Sequence, residues 1–158
     1  MKRIIILLLS TFFITACDSD TFNEIFRNPH IVEIAKIESM EADKWYEFDT
    51  HLEAINREQT ITVSFDGSDP KSLDFSVIEN KSVFKSEKFP GKIIDIDIIA
   101  TSSSNIEYEF KPSGRSNSIY FIPRKDKINK GEVITKVRIK GNLNYRNVNM
   151  EWMSRTGK

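Results

Sequence analysis

Six stretches of this chain alternate apolar and polar residues with a period of two, and that pattern restricts the fold before anything else does. Ile61, Val63 and Phe65 share one side of their stretch, as do Leu73, Phe75 and Val77, and Ile94, Ile96 and Ile98. Ile106, Tyr108 and Phe110 alternate with Glu107 and Glu109, Val137 and Ile139 with Lys136, Arg138 and Lys140, and Val148, Met150 and Trp152 with Asn147, Asn149 and Glu151. A helix would scatter such residues around its circumference, whereas a half-buried antiparallel strand collects them on one face. Between the runs stand Asp66-Gly67-Ser68-Asp69-Pro70, Pro90-Gly91, Pro112-Ser113-Gly114, Asn129-Lys130-Gly131 and Gly141-Asn142. Glycine and asparagine there supply positive φ and proline a fixed φ, so each cluster predicts a turn. About eight or nine short strands at this spacing predict an all-β domain, an antiparallel β-sandwich of immunoglobulin-like architecture.

One stretch is ambiguous. Over residues 44–55, Trp45, Phe48, Leu52 and Ile55 fit a helical face, while Tyr46, Phe48, Thr50 and Leu52 fit a strand. The aromatic and threonine content favours the strand.

The beginning of the chain follows a different logic. Lys2 and Arg3 precede an apolar run from Ile4 to Ile14, which ends in Thr15-Ala16-Cys17. As a helix that run rises roughly 16 Å, about half the hydrocarbon thickness of a bilayer, so it reads as an export signal and not as a membrane span. Ile14-Thr15-Ala16-Cys17 resembles the lipobox of bacterial lipoproteins. The resemblance implies cleavage before Cys17, acylation of that cysteine and a mature chain held to a membrane leaflet. Cys17 is the only cysteine, and in an oxidising compartment an unpaired thiol is best explained as consumed by a thioether. Asp18 resembles the residue that retains enterobacterial lipoproteins in the inner membrane. The expectation is therefore a bacterial envelope protein facing the periplasm, on the inner membrane in preference to the outer.

Cleavage would remove Lys2 and Arg3 from 23 basic residues and none of the 23 acidic ones, leaving a formal charge of −2. That balance argues against nucleic acid as a partner. The expected organisation is a signal helix over 1–16, a lipidated cysteine and tether over 17–30, and a single β-sandwich domain over 31–158. The tether contains Phe22, Ile25 and Phe26 but is too short to hold a helix by itself.

Few residues suggest chemistry. His30 and His51 are far apart in sequence and have no ligand spacing around them, so no metal or other cofactor is expected. Asp95 with Asp97, and Glu107 with Glu109, each pair two carboxylates on one side of a strand. The matching basic stripe of Lys136, Arg138 and Lys140 makes a cross-strand charge ladder the better account of them. None of the common nucleophile, phosphate-binding or zinc-protease motifs is present, and no catalytic residue is assigned.

Lys81, Lys85, Lys88 and Lys92 form a basic cluster around Val83 and Phe84 that fits a protected edge strand, with lipid headgroups or a partner as alternatives. Asn142, Asn144 and Tyr145 precede the last strand as candidates for exposed contacts. Trp45, Trp152 and Tyr120 suggest a sugar-stacking platform, but Trp152 continues the apolar face of Val148 and Met150, so core packing is the simpler account. These features predict a non-enzymatic protein that binds another protein, as an envelope assembly accessory or a periplasmic toxin inhibitor. A glycan or small-ligand module is the alternative.

Overall fold

The computed structural model describes residues 30–55, 58–68, 73–78, 81–115, 119–125 and 127–155. The expected signal, Cys17, Asp18 and nearly all of the tether lie outside the described residues. Within them the chain is all-β, with eleven strands in place of the eight or nine expected. In chain order they are β1 (His30–Met40), β2 (Tyr46–Glu53), β3 (Glu58–Ser64), β4 (Leu73–Ile78), β5 (Lys81–Ser86) and β6 (Ile93–Ile94). β7 (Ile96–Ser102), β8 (Glu107–Arg115), β9 (Ile119–Pro123), β10 (Val133–Gly141) and β11 (Tyr145–Arg155) follow. The ambiguous stretch is a strand: Tyr46, Phe48, Thr50 and Leu52 are the more buried side of β2 and alternate with exposed Glu47, Asp49, His51 and Glu53.

The pairing departs from two sheets of similar size facing one another. Eight strands form one antiparallel sheet in the order β1-β11-β3-β9-β8-β7-β10-β2, and β4-β5-β6 form a separate small sheet. The large sheet curls until its terminal strands, β1 and β2, come into contact without sharing a ladder, which makes it nearly a closed barrel. A sheet that twists through so many strands can bury its concave face against itself, so a second layer of equal size is not needed.

The interior is filled by side chains. Ile61, Val63, Ile98, Ile119, Phe121, Ile134, Val137, Ile139, Met150 and Trp152 are all buried, and Ile128 enters from the loop between β9 and β10. Trp152 is fully buried, as its place in the alternation predicts. The small sheet adds Phe84 and Ile94 to the same core. Its loop residue Phe89 lies 5.9 Å from the ring of Tyr145, and Tyr145 lies 4.7 Å from Phe65. Such tilted and edge-on aromatic contacts hold the small sheet to the large one.

Two local devices set the phase of this core. Tyr145 and Val148 are both buried although three residues apart, and Asn147 between them adopts φ +53°, the left-handed conformation that asparagine tolerates better than most residues. Gly141 ends β10 where an added Cβ would run into the Tyr145 ring and within 2.9 Å of Met40 Cε. Most turn expectations hold: Gly67, Gly91 and Gly131 have φ of +92°, +71° and +85°. Pro112-Ser113-Gly114 is an exception. It lies inside β8 as a bulge, with the register slipping between Pro112 and Gly114, because a bulge has the same appetite for glycine as a turn.

Candidate functional site

Three regions of the surface carry chemistry. The first is the charged outer face over β2, β10, β7 and β8. Lys136 Nζ lies 2.7 Å from Glu47, Arg138 2.7 Å from Glu107 and Lys140 3.3 Å from Asp97, while Arg124 pairs with Glu109 at 3.3 Å. The predicted basic stripe therefore meets Asp97 and Glu107, and Glu47 joins it from a strand the charge pattern did not single out. The hydrogen bond and charge of Glu47 raise the pKa of Lys136. Asp95 is outside the ladder, in the link between β6 and β7. Trp45 covers the end of the stripe, with Lys140 Nζ 5.0 Å and the Arg138 guanidinium 5.5 Å from its ring centroid. These pairs face solvent and add little to stability, and their value lies in fixing which strands are neighbours.

The residues offered as partner contacts divide. Lys85 and Lys92 are exposed, and Lys81 begins β5. Lys88 is committed: its aliphatic stem packs over Gly67 and its ammonium lies 3.9 Å from Asp66. The edge-strand account of this cluster is corrected, since β5 is the middle strand of the small sheet, between β4 and β6. Tyr145 is corrected as well: it is buried, and its hydroxyl donates to Asn142 Oδ1 at 3.1 Å. Burial, with a smaller effect from the charge of Asp95, pushes its pKa well above the ordinary phenol value. Asn142 Oδ1 also accepts from the Asp95 amide at 2.9 Å while its Nδ2 donates to the Ile93 carbonyl at 2.7 Å. Asn144 Oδ1 accepts from the Ala42 amide at 2.7 Å. Both asparagines tie strand connections together, which explains the polar loop without a partner.

The second region is the seam between β1 and β2. Each strand ends the large sheet and offers an outer edge that no ladder among the described residues occupies. Val32, Ile34 and Ile37 of β1 and Tyr46 and Phe48 of β2 pack against the core but are only partly buried. A bulge between Glu33 and Ala35 bends β1 beside this opening. Charged residues border it, including Glu38, Asp49 and Glu53, all exposed.

The third region is a fork between β3 and β9, and its cause is legible in one residue. Successive peptide groups of a strand point to opposite sides. The Arg124 amide donates to the Glu109 carbonyl of β8 at 2.7 Å, so position 123 is the one whose amide would face β3. That residue is proline, which has no N–H to give. The β3–β9 ladder ends at Ile61 and Phe121, and the strands separate beyond it. By the same alternation Pro112 faces β7, and the β7–β8 ladder ends two residues earlier, at Phe110.

The fork opens into a cleft of about 380 Å³. Gln59 and Thr60 of β3, both buried, line one wall, and half-buried Ile122 and Pro123 line the other. Ser113 reaches it from the bulge of β8, Glu58 stands at one side, and Lys125 and Lys127 stand at the mouth. Lys125 also borders a neighbouring cleft of about 250 Å³ with Glu107, Tyr108 and Glu109. Neither the strand alternation nor the charge pattern marks this region. Its signal was the basic run Arg124-Lys125-Asp126-Lys127 directly after a proline that closes an apolar segment.

No protein-family model matches this chain, and no curated protein matches its sequence.

Proposed function

We propose that this is a lipid-anchored protein of the bacterial envelope, held through Cys17 and facing the periplasm, which works by binding another protein and not by catalysis. The observation that carries the reading is the seam: two strand edges, unpaired among the described residues, flank half-buried apolar residues. An extended segment of a partner would find backbone hydrogen bonds on an edge and apolar contacts beside it, the combination used in strand addition. The interior is packed with side chains, so recognition belongs to edges and surface clefts. Either an accessory role in an envelope assembly or inhibition of an incoming toxin would use such a surface. Retention on the inner membrane through Asp18 is the sorting outcome we favour over the outer membrane.

Photo-crosslinking in intact cells tests this, with the crosslinking residue at Phe48 in the seam or at Lys111 on the far side of the sheet. A single adduct formed from position 48 and absent from position 111 supports the reading, and Cys17→Ser should release the protein from the membrane and diminish the adduct. Equal labelling from both positions would overturn it. Glycan binding is the second reading, and one observation favours it: Trp45 is 40% exposed. Against it, the Trp45 ring already has Arg138 and Lys140 beside it. Quenching of Trp45 fluorescence by acrylamide that is relieved on adding an oligosaccharide would revive the glycan reading.

A further inference from the structure

We propose that the cleft at the fork of β3 and β9 is a binding site for a small amphipathic carboxylate, with the apolar body against Ile122 and Pro123 and the anionic end between Lys125 and Lys127. The inference is independent of the seam and uses a different part of the sheet.

Four observations converge. The cleft exists for a covalent reason, the missing N–H of Pro123, and does not depend on a loop happening to lie open. At about 380 Å³ it falls within the range of small-molecule sites, which combine apolar walls with a few placed polar groups. Its apolar wall is half-buried and its polar wall, Gln59 and Thr60, is buried on a strand held by β11 along its whole length, so both walls are fixed in advance. Finally, Lys125 and Lys127 are exposed and form no ion pair among the described residues, whereas the adjacent Arg124 is engaged by Glu109. Two ammonium groups that form no ion pair among the described residues, lining a cleft with an apolar wall, favour a ligand whose charge is at one end. Glu58, on the other side, disfavours a dianion and fits a single carboxylate better.

The probe is octanoate, with acetate supplying the charge without the body and 1-octanol the body without the charge. Each is titrated into the full chain carrying Cys17→Ser, followed by amide chemical shifts. The expected result is saturable one-to-one binding of octanoate, with shifts concentrated at Glu58, Gln59, Thr60, Ser113, Ile122 and Lys125. Burying two methylenes is worth about a factor of ten, so acetate should bind at least tenfold more weakly. The double variant Lys125→Glu, Lys127→Glu should weaken octanoate about tenfold or more and leave octanol unchanged. Lys85→Glu with Lys92→Glu, exposed lysines of the small sheet, should change nothing. Octanol binding as tightly as octanoate, an affinity that survives the double variant, or shifts confined to other residues would each overturn the proposal.

Discussion

Along one side of β3 seven residues, Glu58 to Ser64, pair with β11, while along the other only Ile61, Thr62 and Val63 pair with β9. The strand is the same on both flanks, so its own β-propensity cannot account for the difference. What differs is the neighbour: β11 presents an amide at every position, and β9 presents Pro123, in register with Gln59, where the next amide facing β3 would be needed. On the β11 side Met150 and Trp152 close the interior, and on the β9 side a cleft opens to solvent. Sheet continuity here is decided by the donor inventory of the adjacent strand, and the surface inherits its shape from that.

The comparison is broken most directly by truncating each flank. Trp152→Ala should cost about 3–5 kcal/mol, because a fully buried aromatic is lost and a cavity left, whereas half-buried Ile122→Ala should cost no more than about 1.5 kcal/mol. Equal shifts of the two urea midpoints would mean that the two flanks are packed alike. Gly141→Ala asks whether the packing near β11 is as close as the structure has it. The new methyl group meets Tyr145 and Met40, and overpacking of this kind costs about 1–3 kcal/mol, read as a lowered Tm.

Tyr145 gives a pH-dependent version of the same test. Its pKa in the folded state is raised above the unfolded value of about 10, so stability is unaffected below that pH and falls as the pH rises above it. The slope is at most about 1.4 kcal/mol per pH unit, and Tyr145→Phe should remove it from denaturation curves measured between pH 9 and 11. Pro123→Ala has the smallest expected effect on stability and sharpens the comparison most. It restores an amide that faces β3, and the hydrogen bond gained roughly offsets the lost rigidity, so the net change stays within about 1 kcal/mol. The ladder should lengthen, seen as a slowly exchanging amide at position 123, and the cleft should narrow. A rapidly exchanging amide there would show that something other than the proline holds the fork apart.

Alternation made most strands legible, because inward and outward residues differ in chemistry along β3, β7, β10 and β11. It did not reveal how the strands are shared between sheets. Period two is the same for a sandwich and for a curled single sheet, and the choice depends on the sum of twists and on which edges meet. The charge ladder was readable in Lys136, Arg138 and Lys140 because cross-strand pairs constrain composition, although Glu47 escaped for want of a repeated pattern on β2. Tyr145 was misassigned since asparagines surround it, and the phase change at Asn147 that turns it inward leaves no trace in hydropathy. The fork was hidden for another reason: Pro123 is an unremarkable strand end until the direction of the neighbouring Arg124 amide is known.

The pairing of β1 with β11, His30 opposite Ser154, has a consequence in time. The earliest strand of the described fold pairs with the latest, so a chain emerging from a ribosome has no ladder partner for β1 until β11 has emerged. Contacts so distant in sequence are slow to form, and β1 waits with one side of the core exposed. The order of synthesis and the order of the sheet are opposed at this point, and an escort that shields Val32, Ile34 and Ile37 would matter most during that interval.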